Sequence, residues 1–182
     1  MAFLDESGFL LVPTISRTWA PRGKTPVLLT AGSWTKISAI SAITVSPRYR
    51  RLGLYCRFHP NKNIRAAQVV EFLAHLLRHV PGHIVLLWDR GLPHRAKCVA
   101  RFLKRHPRLQ VNLLPPYAPE LNPDELVWRQ MKRSLANSLP RDIRQLRRQL
   151  NRPLRRLQRS QRLLWSCIHA SELPWKKRVS IT

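Results

Sequence analysis

Nine carboxylates stand against 33 lysines and arginines in this 182-residue chain, which leaves a net charge of +24. Most of those acids fall into three short clusters: Asp5 with Glu6, Asp89 alone, and Glu120 with Asp124 and Glu125. A protein that holds an anion has reason to keep carboxylates away from its binding face. Where they persist, a bound cation is one cause and ordinary salt bridges to nearby arginines are the other. Hard divalent ions such as Mg²⁺ take carboxylate oxygens and retained waters, so acids without cysteine suit them. Two such ions about 4 Å apart can activate water, neutralise a phosphate and stabilise a leaving oxygen. The surplus of positive charge itself calls for a polyanionic partner, nucleic acid before any other.

Three acids far apart in sequence can act together only if the fold brings them together. Residues 1–4 read as the end of a strand leading into Asp5. Residues 17–26 have the Pro, Gly and Lys content of a loop. Residues 36–46 alternate β-branched and small residues as a strand does, residues 47–51 turn, and 51–58 pair back as a second strand. Asn63 is placed to cap a helix over 64–79, where Val69, Phe72, Leu73, Leu76 and Leu77 recur at helical spacing. Pro81-Gly82 ends it, and 83–88 (HIVLLW) is a continuous apolar run, as in a strand buried on both faces. A helix over 94–106, a strand over 109–114, a rigid Pro-rich loop over 115–119 and a helix after Pro123 complete the order. Hairpin-like strands followed by alternating helix and strand describe a mixed α/β domain with a parallel half. The acid clusters then fall on the first strand, at the C-terminal end of the buried strand, and on the helix after the last strand. Strand ends of this kind are where α/β sheets place their sites.

Beyond residue 138 the chemistry changes. Arginines at 141, 144, 148, 152, 155, 159 and 162 step by three or four. Ile143, Leu146, Leu150, Leu154, Leu157 and Leu164 keep a similar rhythm about two residues out of phase, which sets the two stripes on opposite faces of a helix. Pro153 is expected to kink or split it, with Asn151 capping the second piece. A solvated face would mix Glu with Arg; here Asp142 is the lone acid, so the stripe is read as a phosphate-contacting surface centred on Arg148, Arg155 and Arg159. The expected organisation is a domain over 1–138 and a basic helical tail over 139–182.

The stretch Leu114-Pro-Pro-Tyr-Ala-Pro-Glu-Leu-Asn-Pro-Asp-Glu-Leu-Val-Trp128 is the most specific in the chain. Together with Phe3-Leu-Asp-Glu-Ser-Gly-Phe9, Arg17-Thr-Trp-Ala-Pro-Arg-Gly23 and Leu87-Trp-Asp89 it resembles DDE transposases of the insertion-sequence-630 type, in the mariner superfamily. The resemblance runs from residue 2 to about 135. It implies an α/β, ribonuclease-H-like fold, a mixed sheet flanked by helices. It also implies a catalytic, metal-holding set of Asp5, Asp89 and Glu125 and a cofactor of Mg²⁺ or Mn²⁺, two ions. The implied activity is cleavage and rejoining of DNA phosphodiesters at transposon ends. The implied partners are DNA and a second copy of the chain. Two departures stand out. Arg90 follows the second Asp where many relatives have Asn, and Asp124 adjoins Glu125. Glu6 and Glu120 are read as structural, and His94 matches a family histidine near the site.

Relatives carry N-terminal helix-turn-helix modules, whereas this chain begins four residues before Asp5. A separately encoded N-terminal half, or a shortened copy, is the expectation that follows. The rival readings are a non-catalytic DNA-binding remnant and a ribonuclease-H-like nuclease without strand transfer. His75, His79 and His83 are spaced by four, but Pro81-Gly82 breaks the helix between the last two, which argues against a zinc face. No apolar run reaches the roughly 18 residues of a membrane span. Cys56, Cys98 and Cys167 lack zinc-type spacing and read as buried thiols in a reducing compartment. The expected location is therefore prokaryotic cytoplasm, at the nucleoid.

Overall fold

A computed structural model describes residues 1–12, 14–27, 35–48 and 51–175. Its five strands are β1 (Ala2–Leu10), β2 (Lys36–Val45), β3 (Leu52–Pro60), β4 (Ile84–Trp88) and β5 (Leu109–Leu113). They form one sheet in the order β3-β2-β1-β4-β5, antiparallel across the first three and parallel from β1 through β5. The five α-helices are α1 (Ala66–His79), α2 (Lys97–Arg105), α3 (Pro123–Ser134), α4 (Ile143–Arg159) and α5 (Gln161–Ala170).

β1 does not end before the first acid cluster as the sequence suggested. It runs on to Leu10, because β2 matches it residue for residue from Ala2↔Thr44 to Leu10↔Lys36. Alternation along β1 then sorts its side chains onto two faces. Phe3 and Phe9 join a core with α3, α4 and α5. Ala2 and Leu4 join a second core with α1, α2 and β4. Asp5 follows the odd-numbered face and Glu6 the even one, so these adjacent acids look toward different helices.

α1 starts two residues later than expected, and Arg65, not Asn63, occupies its N-cap. The Gln68 side chain accepts from the Arg65 backbone N–H at 3.1 Å, satisfying a donor that the helix leaves open. Residues 94–106 are likewise not one helix. A 3₁₀ turn over Leu92–Arg95 gives way at the extended Ala96 to α2. Cys98 sits on the outer face of α2 and is exposed, so only Cys167 is a fully buried thiol. α3 begins as expected, with Asn122 accepting from Asp124 N–H at 3.2 Å and Pro123 at the first position, where no N–H is needed.

The basic segment is docked onto the sheet. Leu146, Leu150, Leu154, Leu157 and Leu164 are buried in the core shared with Phe3, Phe9 and Trp128. Pro153 does not split the helix: α4 is continuous through it, and the break comes at Ser160, which caps α5. An interior proline costs about 3 kcal/mol. The leucine stripe stays in phase on both sides of Pro153, and its burial offsets that cost at about 1.5–3 kcal/mol per side chain. Asp142, not Asn151, serves as a cap in this region, accepting from Gln145 N–H at 2.7 Å at the start of α4. Gln158 and Gln161 fasten the α4–α5 corner to the β3 backbone at Leu54 and Leu52.

Candidate active site

β1 and β4 run parallel, with Ala2 opposite Leu86 and Phe3 opposite Leu87. Continuing that register places Asp89, just past the end of β4, beside Asp5. α3 crosses above them on the odd-numbered face of β1. Asp5, Asp89 and Glu125 accordingly line one cleft of about 400 Å³, together with Arg90, Gly91 and the Pro-rich loop from Leu114 to Pro119. Elements separated by 84 and then 36 residues of sequence thus deliver one carboxylate each. Glu6 and Glu120 are not among the cleft's lining residues.

The three carboxylates differ in setting. Asp5 is buried, and among the described residues its Oδ2 has no hydrogen-bond partner. Burial, followed by the neighbouring charge of Glu125, pushes its carboxyl up to about 8; Glu6 and Asp89 add to the effect. Asp89 and Glu125 are exposed to the cleft. The Asp89 carboxyl is held below its ordinary value, chiefly by a hydrogen bond from His94. Its Oδ1 accepts from Gly91 N–H at 2.8 Å and lies 3.0 Å from His94 Nδ1. A Cβ on Gly91 would come within 3.0 Å of that same oxygen, so glycine is what lets the backbone close in. A buried carboxylate oxygen without a donor, facing two further carboxylates, is an arrangement that a hard cation completes and that no side chain here satisfies.

Asp124 has a different task from Glu125. One residue along a helix is about 100° of rotation, which turns Asp124 inward where Glu125 faces the cleft. Asp124 is fully buried, and its Oδ2 accepts from Ser41 Oγ at 2.6 Å. Ser41 is the register partner of Asp5 on β2. Asn122 makes a second tie, donating from Nδ2 to the Leu4 carbonyl at 3.1 Å. The first turn of α3 is therefore pinned to β2 and to β1 immediately before Asp5, which fixes where Glu125 stands. Burial drives the Asp124 carboxyl well above its ordinary value.

Glu6 was expected to be merely structural, yet it reaches the site through His94. The buried His94 ring stacks flat on Trp88 with centroids 4.2 Å apart. It offers Nε2 to Glu6 at 2.8 Å and Nδ1 to Asp89. Burial alone would lower the His94 pKa; its hydrogen bonds to Asp89 and Glu6 outweigh that and lift it to about 10. Glu6, Asp89 and His94 bring their ligand-type atoms within 4.8 Å of one another, and both ring nitrogens of His94 are engaged in joining the two acids. Glu6 takes the face opposite Asp5 only because pairing with β2 carries β1 on through both acids, so the link was not legible in the sequence alone. His75 and His79, by contrast, pack beside Tyr55.

Residues 1–147 match the family model of the DDE superfamily endonucleases. The chain belongs to that family. No curated protein matches it in sequence. Among solved structures, the chain is similar to the Mos1 mariner paired end complex with Mn, at 18% identity and a TM-score of 0.70. That match covers 92% of this chain and 51% of the other. Similarity to the Mos1 strand transfer complex is of the same order, with 18% identity, a TM-score of 0.69, and 92% and 50% covered. The catalytic domain of Mos1 mariner transposase gives 17% identity, a TM-score of 0.65, and 92% and 74% covered. The fold is thus the ribonuclease-H-like mixed sheet of that catalytic domain. The DDE chain described here spans about half the length of the transposase chains in those complexes.

Proposed function

We propose that this chain is the catalytic domain of a cut-and-paste DNA transposase of the insertion-sequence-630 type, cleaving phosphodiesters at transposon ends and joining them to target DNA. The observation that carries the reading is the convergence of Asp5, Asp89 and Glu125 on one cleft, with a buried Asp5 oxygen left unpartnered. These three carboxylates would hold Mg²⁺ or Mn²⁺, and two ions suit the reaction. When bound, such ions supply the positive charge that activates a nucleophile and stabilises a leaving oxygen.

The chain's own residues do the positioning. Gly91 N–H and His94 fix one oxygen of Asp89 and leave its other oxygen uncommitted. Glu6 holds His94 from behind. Asp124 and Asn122 fix the start of α3, so Glu125 presents its carboxylate at a constant place. Arg90, exposed in the same cleft, offers a guanidinium to a DNA phosphate, as a planar fork suits that anion. The Pro-rich loop lines the same cleft, and its prolines limit the backbone freedom that binding must remove.

Solved structures of this fold include a Mos1 strand transfer complex and a Mos1 mariner paired end complex with Mn. We extend that assembly to this chain as a homodimer on paired transposon ends, working in the prokaryotic cytoplasm at the nucleoid. Recognition of the end sequence is assigned to a helix-turn-helix unit. The test is Mg²⁺- or Mn²⁺-dependent cleavage of terminal-repeat duplexes, with and without that unit added. Cleavage at the repeat boundary followed by joining to a target duplex is expected. Cleavage without joining would leave a ribonuclease-H-like nuclease, and binding without cleavage in either metal would leave a DNA-binding remnant.

A further inference from the structure

α4 carries seven arginines in 17 residues and no acid. Repulsion between like charges one turn apart destabilises a helix, so such a face is maintained at a cost unless an anion meets it. Arg148, Arg152, Arg155, Arg156 and Arg159 line a shallow trough of about 520 Å³ along the outer side of α4, with Asn151 among them. All five are exposed. Among the described residues, none is paired with a carboxylate, and none donates a hydrogen bond to the rest of the chain. The opposite face of the same helix is leucine, buried in the core. The fold therefore fixes the orientation of this arginine face while leaving it no internal partner.

The trough is separate from the cleft. α4 packs against β2, β3, α3 and α5, on the β3 side of the sheet, whereas the cleft lies where β1, β4 and the loop after β5 meet. Arg148 to Arg159 spans about 16 Å at 1.5 Å per residue. One DNA strand places a phosphate every 3.4 Å along the duplex axis, so that length matches about five phosphates, one for each guanidinium. Nothing in the trough is shaped to read bases: it is lined by five arginines and one asparagine, and it is open.

We propose that the outer face of α4 is a second DNA site, which grips the phosphate backbone of duplex DNA away from the catalytic cleft and without regard to sequence. The proposal takes DNA as the substrate class from the function proposed above, but it is independent of whether the cleft cuts. It holds the duplex on the molecule while the cleft engages the scissile phosphate.

The experiment measures binding of the full chain to a duplex of unrelated sequence in EDTA, where no cleavage intervenes, across a fourfold range of salt. The variant Arg148→Gln/Arg155→Gln/Arg159→Gln removes three phosphate contacts, and its salt slope should flatten by about 2.7 units. Over the fourfold range the wild type should then lose about 40-fold more affinity than the variant does. A charge-matched control, Arg101→Gln/Lys104→Gln/Arg105→Gln, changes exposed residues of α2 on the other face of the sheet, and it should leave the slope near that of the wild type. Arg148→Lys/Arg155→Lys/Arg159→Lys keeps the charge and should keep most of the slope, which separates loss of contacts from loss of folding. Equal flattening in the α2 control would overturn the proposal in favour of diffuse charge. An unchanged slope in the α4 glutamine variant would overturn it outright. So would an RNA duplex of the same length that binds more tightly and loses more slope. Failure of cleavage with the α4 result intact would overturn only the catalytic reading.

Discussion

The cleft and the α4 face are opposite solutions to placing charge. The cleft gathers three carboxylates from β1, the end of β4 and α3, each fixed by backbone register or by a buried tie, and one of them out of water. The α4 face sets like charges on one helix at three- and four-residue steps and keeps all of them wet. Charge in the first region depends on tertiary structure, and charge in the second needs only a helix with a leucine side. The difference teaches which substitutions act locally and which act through the fold.

The sharpest way to break the comparison is to remove charge from each region in turn. Asp5→Asn, Asp89→Asn and Glu125→Gln should each reduce metal-dependent cleavage by orders of magnitude while leaving duplex affinity in EDTA nearly unchanged, as the proposed cation-holding role of the acids requires. The α4 glutamine variant should do the reverse at saturating DNA: weaker binding, with single-turnover cleavage preserved. Gel-shift titrations beside single-turnover cleavage assays would show it. If the acid variants cut at the wild-type rate, the cleft has been misread.

The same asymmetry decides what could be read from the sequence. The arginine stripe, the leucine stripe and their opposition were legible because helical period alone generates them. The buried run of β4 and the β2–β3 hairpin were legible from apolar patterning. The extent of β1 was not, because its second half is held by β2 pairing and not by its own composition. Pro153 and Asn151 misled for a related reason: local propensity favours a break there, and burial of Leu150 and Leu154 overrides it. Asp124 beside Glu125 left two acids open as ligands, and only the contact with Ser41, 83 residues away, separates the buried anchor from the cleft acid. The Glu6–His94 link spans 88 residues and depends on which face of β1 Glu6 occupies.

On the helix itself, the two faces should respond very differently to substitution. Leu150 is fully buried, and Leu150→Ala should cost about 2–5 kcal/mol in urea unfolding. Arg152→Gln, two residues on and exposed, should stay within about 0.5 kcal/mol. Equal effects would mean that α4 is not docked as described.

A smaller effect is expected at the tie beneath α3. Ser41→Ala removes the hydroxyl that donates to the buried Asp124 Oδ2. The expected loss is about 1–3 kcal/mol. Because Glu125 stands on the same turn, the apparent metal affinity should fall alongside stability. Ser41→Thr retains a hydroxyl and should recover part of both. A stability loss with unchanged metal affinity would restrict the tie to folding and remove its role in setting Glu125.

The smallest effect separates a cation site from a salt bridge. Asp5 is buried, its Oδ2 has no donor, and burial together with the Glu125, Glu6 and Asp89 charges holds its carboxyl up to about 8. At neutral pH a carboxyl so placed must take up a proton on folding, whereas the unfolded one is ionised, so it lowers the stability of the metal-free fold at pH above its ordinary value. Asp5→Asn keeps the shape and removes the charge. In EDTA at neutral pH its melting temperature should equal that of the wild type or exceed it by about 2–4 °C, the shift that ~1 kcal/mol produces in a chain of this size. Added Mg²⁺ or Mn²⁺ should then raise the wild-type midpoint in proportion to occupancy and leave Asp5→Asn where it was, so the two curves cross as metal is titrated in. A buried ion pair predicts the opposite order, because removing one partner strands the other charge and costs about 3–5 kcal/mol. A variant that melts well below the wild type in EDTA, and shifts with metal as the wild type does, would make Asp5 part of the scaffold and take it out of the proposed cation site.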